Sequence, residues 1–559
     1  MKMTQDYSRL RMSLLTALVA CGLVPGCHGP RVHLNLDQQK IAAQLGRIDP
    51  DRDDLPARTA VIDVHTHTFN ARYLPLEGIL EGKRDAYFPV TTLLSDRSAR
   101  LIARALLDRT ELAAIPGQKG MPRTCNTQGI RDSEHPGPLT SVFLDLIDKA
   151  ISRGAWDPSL SMKQKMSVLD DVSSKMGPVQ RLSIQAAANM MGMEDHTKGG
   201  TKEADKTVTG IQAAVRFLWM LTQNDAQMAA IFRELHQGIH TKGQITLISH
   251  MMDLGPVYAQ KPGKYLLDFE KEQVRRMEFY QRKTGAGLHY FVAYNPYRTG
   301  TASGGTSALA LVQDAVKHHD ARGVKVYPPS GYRPFHNDIA TRPVTWPTRQ
   351  PSIQYDQRYE RLGKTSAQQN AALDVELNKL LDWCIKEDVP VFVHSGYGEF
   401  EARKGYGESN SNPQFWGEFL KAHSQPGRPC RLRLCLGHAG GEDYWFGTGK
   451  LAAWGRTAYE LCVQYPNVYC EVTTGEAMID PVRQALFVDR VAQCFAASQH
   501  DTPYPFARKL MYGTDWYLPD QGEPAAVLLA TQQAFLHPAL RPYFAAYFSL
   551  NAQKYLKLR

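Results

Sequence analysis

Eight short apolar runs, separated by segments with helical periodicity, constrain the fold of this chain more than any other feature. The runs occupy residues 60–65, 245–250, 288–293, 323–327, 389–394, 432–438, 468–472 and 510–515. Helical patterns lie between them, for example over residues 373–387 and 452–464. Strands that alternate with helices in this way pair in parallel. The sequence therefore predicts an α/β fold in which eight strands and their helices form a (β/α)8, TIM-type barrel.

The alternation is interrupted after the first run. Residues 70–243 carry apolar residues at helical spacing, notably over 139–151 and 211–221, and a polar segment rich in glycine and lysine at 192–207. The first pattern is typical of amphipathic helices and the second of loops. We interpret residues 70–243 as a large helical insertion after the first strand, residues 28–59 as an N-terminal linker, and residues 60–69 and 244–559 as the barrel.

Residues 1–27 are interpreted as an export signal rather than as part of the fold. A basic segment through Arg11 precedes an apolar run that is too short to span a bilayer. The small residues before Cys21, and again before Cys27, resemble the lipobox of bacterial lipoproteins, in which the cysteine is lipidated. We expect an exported protein of the periplasm or cell envelope, anchored to a membrane by lipid on Cys21 or Cys27. The alternatives are a plain secretory signal and an apolar N-terminus without a targeting role.

Charge and cysteine usage argue against two kinds of site. The formal net charge is +9, but the basic residues form no block of like charge. Nucleic-acid binding is therefore not supported, and the expected partner is a small-molecule substrate. The cysteines beyond the N-terminal segment include no Cys-x-x-Cys pair. This pattern argues against a cysteine-based zinc site and favours buried free thiols.

Polar side chains end several of the apolar runs. His65 and His67 end the first run, His394 the fifth, His438 the sixth and Asp515 the eighth. Side chains two residues apart on a strand point to the same side. In a barrel the carboxyl ends of the strands converge, and active sites lie there. Neutral imidazole and carboxylate are common metal ligands, so the sequence predicts a metal site at this end.

In this order the motifs resemble the amidohydrolase superfamily, specifically its amidohydrolase-related (family 2) branch. The similar segments are residues 63–67, 393–394, 437–441 and 512–516, together with residues 549–552 near the C-terminus. The resemblance covers residues 60–69 and 244–559. It implies a divalent metal ion, usually Zn²⁺, held by His65, His67, His394 and Asp515.

The resemblance leaves open whether one or two metal ions bind. It implies that His438 either binds a second metal or contacts the attacking water and the substrate. Lys325 lies in a sequence similar to the Lys-x-Tyr-Pro of dihydroorotase-like members, where a carboxylated lysine bridges two metals. Alternatively, Lys325 lines the barrel as a cation that binds substrate or a carboxylate. His250, at the end of the second run, is interpreted as a structural or pocket residue.

The expected activity is hydrolysis of an amide, lactone or ester bond by water activated on the metal. Asp515 is the predicted general base, and His438 is predicted to stabilise charge on the substrate oxygen. Asp63 is predicted to orient a ligand from outside the metal's own contacts. One alternative is a metal-dependent decarboxylase of a small carboxylic acid. Another is a non-catalytic envelope binding protein, which the complete set of ligand residues disfavours.

The loops that follow the strands are expected to determine the substrate. Tyr327 directly follows the fourth run, and Arg333 lies in the proline-rich loop beyond it. Tyr397 follows the run that ends at His394, and Trp516 follows Asp515. We predict that Tyr327, Arg333, Tyr397 and Trp516 contact the substrate, with Arg333 suited to hold a carboxylate.

Overall fold

The computed structural model describes most of the barrel and parts of the remaining chain. The described residues are 38–49, 53–68 and 70–74, parts of 106–177 and 216–239, and then 245–254, 267–298, 307–337, 366–397, 401, 405–447, 452–473, 475–516 and 524–558. The predicted export signal, with Cys21 and Cys27, lies outside these residues. So does the segment 192–207. Both interpretations stay predictions.

Eight parallel strands form one sheet, and each strand is hydrogen-bonded to the next in chain order. The strands are β1 (Ile62–Thr66), β2 (Thr246–His250), β3 (Leu288–Tyr294), β4 (Gly323–Val326), β5 (Val391–His394), β6 (Leu434–Gly437), β7 (Val468–Thr473) and β8 (Leu510–Gly513). Every residue of β4 to β8 is buried. Burial on both faces explains why these strands appear in the sequence as continuous apolar runs.

The sheet closes into a barrel where β8 meets β1. The backbone N–H of Asp515 donates to the carbonyl oxygen of His65 (2.7 Å), and that of His67 donates to the carbonyl oxygen of Trp516 (2.5 Å). Thr66 and Trp516 form a parallel bridge between these bonds. The predicted (β/α)8 barrel is confirmed, and its closing hydrogen bonds lie among the predicted metal ligands.

Of the α-helices that the structure describes, ten connect successive strands, two precede the first strand and two follow the eighth. Those of the described residues are α1 (Gln38–Leu45), α2 (Asp54–Arg58), α3 (Met162–Ser174), α4 (Asp225–Leu235), α5 (Leu267–Thr284), α6 (Ala308–His318), α7 (Ser366–Glu387), α8 (Tyr406–Asn410), α9 (Pro413–Ala422), α10 (Glu442–Trp445), α11 (Ala452–Gln464), α12 (Pro481–Asp501), α13 (Pro524–Leu536) and α14 (Asn551–Leu556). None of these described helices is both long and apolar enough to cross a membrane.

Local sequence fixes where several of these helices begin. The side chain of Ser307 accepts a hydrogen bond from the backbone N–H of Ala310 at the start of α6. Asp480 caps α12 in the same way, and Pro481 occupies its first turn. Capping side chains satisfy N–H groups that have no partner within the helix, and proline has no N–H to satisfy.

Apolar side chains fill the amino end of the barrel. The strands contribute Ile62, Val64, Ile248, Phe291, Phe392, Cys435, Tyr469 and Met511, and α14 contributes Ala552, Tyr555 and Leu556. The hydroxyl of Tyr555 donates to the carbonyl oxygen of Val391 (2.9 Å), the first residue of β5. Helix α14 therefore covers the amino end of the barrel, and the site residues lie at the opposite end.

A bulge in β1 directs two consecutive side chains into the barrel. The register with β2 shifts between Asp63 and Thr66. Val64 belongs to the apolar cluster at the amino end, and the next residue, His65, places its ring 4.6 Å from that of Phe392. A regular strand would turn one of the two outward. Because of the bulge, the apolar side chain of Val64 and the site residue His65 follow one another inside the barrel.

The segment between β1 and β2 forms helices where it is described, including α3 and α4. Its contacts reach the carboxyl end of the barrel. The hydroxyl of Thr68, just after β1, donates to the carboxylate of Asp225 in α4 (2.6 Å). The ring of Phe232 in α4 lies 4.8 Å from that of Trp516. The boundaries of the insertion at residues 70 and 243 stay a prediction, but its described part forms a wall beside the site.

The described cysteines are free and buried, as the sequence pattern favours. They are Cys384, Cys430, Cys435, Cys462, Cys470 and Cys494.

Candidate metal centre

The polar residues predicted at the strand ends lie together at the carboxyl end of the barrel. His65 belongs to β1 and His67 follows it, His394 ends β5, His438 follows β6, and Asp515 follows β8. His438 is partly exposed and the other four are buried. Titratable groups buried in this number require partners or a bound ion.

The backbone is strained at two of these positions. His438 has a φ of 60°, Ala439 next to it a φ of 43°, and Asp515 a φ of 56°. Residues other than glycine enter this left-handed region at a cost of about 1–2 kcal/mol. Such strain persists where surrounding contacts hold it and is common at functional sites.

Two groups of the described residues could hold a metal ion: His65, His67 and Asp515 form one, and His65, His438 and Glu471 form the other. In the first group, the Nε2 atoms of both histidines lie 3.1 Å from Oδ1 of Asp515. One nitrogen of each ring and one carboxylate oxygen all lie within 4.8 Å of one another. Three residues from the two strands that close the barrel thus direct ligand atoms at one point.

Hydrogen bonds on the far side of both rings assign their protons. The Nδ1 of His67 lies 3.0 Å from the carbonyl oxygen of His250, and a carbonyl oxygen only accepts, so this nitrogen carries the proton. The Nδ1 of His65 lies 2.7 Å from the carboxyl oxygen Oε1 of Glu471, and the Nε2 of His65 lies 3.3 Å from Nζ of Lys325, a donor, so Nδ1 carries the proton. With both Nδ1 atoms assigned as donors from these partners, both Nε2 atoms direct lone pairs toward Asp515.

This donor set fits a divalent metal ion. Two imidazole lone pairs and a carboxylate oxygen meet here, with the ammonium group of Lys325 beside them at 3.3 Å from Nε2 of His65. Such atoms repel one another unless a cation lies among them. Imidazole nitrogen and carboxylate oxygen are ligands of Zn²⁺ and of other divalent transition metals. His65, His67 and Asp515 are therefore the residues that would hold the ion.

The charge states agree with ligand function. Burial lowers the pKa of His65 well below its usual value, and the charge of Lys325 adds to this effect. Burial also lowers the pKa of His67, against the opposing effect of Asp515. Burial alone would raise the pKa of Asp515, but its contact with His67 and the charges nearby lower it overall. The site thus favours neutral imidazoles and an ionised carboxylate.

Lys325 places a cationic side chain beside this group. Its Nζ lies 3.3 Å from Nε2 of His65 and 4.4 Å from the centre of the Phe392 ring. Burial lowers the pKa of Lys325 to about 8, against the opposing charges of Asp515 and Glu471. The lysine predicted to line the barrel therefore does so, next to the predicted ligands.

His394 and His438 form a separate pair beside the metal ligands. The Nδ1 of His394 and the Nε2 of His438 are 3.0 Å apart, and the Nδ1 of His438 lies 2.7 Å from the hydroxyl oxygen of Thr473. Within the described part of the chain, Nε2 of His394 has no hydrogen-bond partner. His394, predicted as a ligand, thus lies outside the group formed by His65, His67 and Asp515, with one ring nitrogen unpaired.

Glu471 is a site residue that the sequence analysis missed. It lies in β7, is fully buried, and accepts hydrogen bonds from Nδ1 of His65 (2.7 Å) and the backbone N–H of His438 (2.8 Å). Burial raises the pKa of Glu471 to about 8, against the effect of the His438 N–H. The signal in the sequence was a lone acidic residue within the apolar run 468–472.

Asp63 and His250 support the first strand. Asp63 accepts from the backbone N–H of His65 (3.1 Å) and from the hydroxyl of Thr514 (2.6 Å). Burial raises the pKa of Asp63 to about 7, against these hydrogen bonds. The Nε2 of His250 contacts the carbonyl oxygen of Val64 (2.7 Å). Both residues connect β1 to a neighbouring strand. The orienting role of Asp63 and the structural or pocket role of His250 stay predictions.

Two of the predicted substrate residues lie close to the site. The ring of Tyr327 is 4.9 Å from that of His394. Trp516 is 4% exposed and packs against Phe232 of the insertion. Tyr327 is therefore positioned beside the histidine pair, and Trp516 connects the site to the insertion.

The other two predicted substrate residues make contacts within loops. The Nε of Arg333 donates to the carbonyl oxygen of Ser409 (3.1 Å), and its guanidinium lies 4.2 Å from the centre of the Phe415 ring. Tyr397 is 40% exposed and lies against Gly441, where an added Cβ would come within 2.8 Å of its ring. Arg333 thus joins the loops after β4 and β5, and Tyr397 covers the loop after β6.

Comparison of the chain with known protein families finds the same family that its motifs resemble. Residues 304–558 match the amidohydrolase family model. The amidohydrolase match runs from before β4 to α14 and contains Lys325, His394, His438 and Asp515. The two histidines of the first strand lie outside it. No curated protein shows significant sequence similarity to the chain.

Solved structures with similarity to the chain include enzymes of several activities. A probable 2-pyrone-4,6-dicarboxylic acid hydrolase from Acinetobacter baumannii, with citric acid bound, is 10% identical over 60% of this chain and 89% of its own, with a TM-score of 0.31. The 5-carboxyvanillate decarboxylase from Novosphingobium aromaticivorans, with manganese, is 12% identical over 67% and 92%, with a TM-score of 0.35. The 4-oxalomesaconate hydratase from Rhodopseudomonas palustris is 10% identical over 75% and 92%, with a TM-score of 0.30.

Proposed function

We propose that this chain is a metal-dependent hydrolase of the amidohydrolase family that cleaves an amide, lactone or ester bond of a small molecule. The observation that carries the proposal is the convergence of lone pairs from His65, His67 and Asp515 at the carboxyl end of the barrel. The family match supports it, since the matched residues include Asp515. We propose Zn²⁺ as the ion, because two imidazoles and a carboxylate leave a coordination position open.

A divalent ion held here supplies Lewis-acid chemistry, polarising a scissile carbonyl and lowering the pKa of water. The residues of the chain supply the proton transfers and the orientation. Asp515, ionised and fixed by its strained backbone, accepts the proton of the attacking water. His438, whose ring contacts His394 and Thr473, would exchange its contact with His394 for a hydrogen bond from Nε2 to the substrate oxygen on which negative charge develops.

Hydrolysis is favoured over decarboxylation by the arginines near the site. A decarboxylase needs a cation, commonly arginine, to hold the carboxylate of its substrate. Arg298, after β3, forms a buried ion pair with Asp253. Arg333 is bound to the carbonyl oxygen of Ser409 and stacked on Phe415. Among the described residues of the loops after β3 and β4, both arginines are thus engaged by the protein, and the nearby cation Lys325 lies against Nε2 of His65.

A substrate panel tests the proposal. Purified protein loaded with Zn²⁺ or Mn²⁺ is incubated with small amides, lactones, esters and carboxylic acids, and products are identified by mass spectrometry. We expect hydrolysis of at least one amide, lactone or ester, lost on chelation and restored by metal. Release of CO₂ from a carboxylic acid instead would replace the proposal by the decarboxylase alternative. Metal binding without turnover of any class would favour a binding protein.

The number of bound metal ions depends on whether Lys325 is carboxylated and bridges two ions. Lone pairs of His65, His67 and Asp515 meet at one point. In the other candidate group of the described residues, Oε1 of Glu471 is hydrogen-bonded to His65 and His438, and His438 is also bonded to His394. We therefore expect about one equivalent of metal per chain, unchanged by Lys325→Met. Elemental analysis of both proteins after dialysis measures it. A second equivalent that disappears in Lys325→Met would instead support a carboxylated lysine bridge.

We also propose that the protein is exported and lipid-anchored. This proposal rests on the sequence of residues 1–27 alone.

A further inference from the structure

Glu471 of strand β7 contacts both His65 and His438 through one of its carboxyl oxygens. Oε1 of Glu471 accepts from Nδ1 of His65 (2.7 Å) and from the backbone N–H of His438 (2.8 Å). The side chain is fully buried. A buried carboxyl group is costly unless its hydrogen bonds compensate. The two hydrogen bonds of Glu471, one to β1 and one to the loop after β6, therefore indicate that its carboxyl group has a function in the site.

The contact with His65 determines which nitrogen that residue offers to a ligand. Imidazole has two nitrogens, and a neutral ring carries its proton on one of them. An acceptor at Nδ1 places the proton there and leaves the lone pair of Nε2 directed at Asp515, 3.1 Å away. A carboxyl group behind a metal-binding histidine fixes both the tautomer and the angle of the ring.

The contact with His438 holds a strained backbone. The φ of 60° at His438 and 43° at Ala439 is unfavourable for residues with a side chain. The hydrogen bond from the His438 N–H to Glu471 fixes the chain at this point. Two residues further along β7, the hydroxyl of Thr473 contacts the ring of His438 (2.7 Å). One strand thus holds both the backbone and the ring of this histidine.

The neighbouring strand leaves room for this carboxyl group. A Cβ at Gly513 of β8 would lie 2.8 Å from Oε2 and 3.0 Å from Cδ of Glu471. Those distances are too short for a real contact, so a larger residue at Gly513 would displace the carboxyl group. The glycine lies two residues before Asp515. The segment from Gly513 to Asp515 thus supplies the carboxylate of the proposed metal site and also leaves space for the side chain of Glu471.

We infer that Glu471 is the positioning residue of the metal site: it orients His65 toward the ion and His438 toward the substrate. The inference rests on the proposed metal-dependent function. It assigns no ligand role to Glu471: Oε1 contacts Nδ1 of His65 and the backbone N–H of His438, and Oε2, which has no hydrogen-bond partner among the described residues, faces Gly513.

Metal affinity measured on folded protein tests this inference. Co²⁺ is titrated into metal-free wild type, Glu471→Gln and Glu471→Met, following the visible absorption of the bound ion, and thermal unfolding is recorded without metal. Asp489→Leu is the matched control, since Asp489 is a buried carboxyl group in α12 away from the site. We expect affinity to fall by about 10- to 100-fold in Glu471→Met and less in Glu471→Gln, which keeps an oxygen acceptor.

The spectrum distinguishes positioning from general stability. We expect the Co²⁺ absorption of Glu471→Gln to differ from that of the wild type, because the angle of His65 changes. Asp489→Leu should unfold at a lower temperature but keep the affinity and the spectrum of the wild type. A folded Glu471→Met that binds Co²⁺ with wild-type affinity would overturn the inference. So would an unfolded Glu471→Met together with wild-type affinity and spectrum in Glu471→Gln. Failure of the wild type to bind metal would refute the proposed function itself.

Discussion

Asp515→Asn is expected to abolish metal retention and to lower turnover by about 1000-fold, the upper range for loss of one charge-stabilising group. In the wild type, Oδ1 of Asp515 lies 3.1 Å from the Nε2 atoms of both His65 and His67. Asparagine replaces a negative ligand by a neutral amide. Its NH₂ group can donate to one of the imidazole lone pairs, so the substitution stabilises the metal-free site as it weakens the metal-bound one.

Asp515→Asn should therefore have opposite effects on metal binding and on the stability of the metal-free protein. Metal-free Asp515→Asn should unfold at a temperature equal to or above that of the metal-free wild type. Elemental analysis, steady-state kinetics and thermal unfolding give the three readings. His65→Ala should lose metal and activity as well, but without the gain in stability. The control is Asp489→Asn, which changes a buried carboxyl group in α12. Full activity with retained metal in Asp515→Asn would contradict the proposed mechanism.

The sequence predicted the barrel because parallel strands buried on both faces must be apolar. The runs ending at His394 and His438 stand out since each apolar strand stops at a polar residue. In a barrel, the carboxyl ends of all the strands lie at the same face. A residue that follows any strand in the sequence is therefore expected at that face. The closeness of His65, His67 and Asp515 followed from this rule, because β1 and β8 are neighbours only when the barrel closes.

The remaining features depend on contacts that no short segment encodes. The bulge in β1 adds Val64 to the barrel interior, and an alternating pattern does not anticipate it. Glu471 was overlooked because its role requires His65, far away in the sequence, to lie beside β7. The pairing of His394 with His438 depends on the strained backbone of the loop after β6. Each is a property of packing between strands.

His438 offers the second large effect, because it lies beside the proposed ligand His65 and is proposed to contact the substrate. Its ring lies 4.9 Å from that of His65 and 4.4 Å from that of His394. Burial lowers the pKa of His438 to about 4, against the opposing charge of Asp515. A histidine whose folded pKa lies below its usual value stays neutral until the pH falls through that lower value. At neutral pH it therefore acts through a neutral N–H, as a hydrogen-bond donor to the substrate oxygen.

His438→Phe keeps a ring of similar shape and removes both nitrogens. We expect kcat to fall by about 100- to 1000-fold, as for loss of one donor to a developing oxyanion, with metal content unchanged and KM little affected. Because His438 is neutral well below neutrality, the wild type should show no loss of kcat from this residue between pH 8 and about pH 5. The control is His289→Gln, a buried histidine at the amino end of β3. Loss of metal in His438→Phe would instead identify His438 as a ligand and favour the two-metal arrangement.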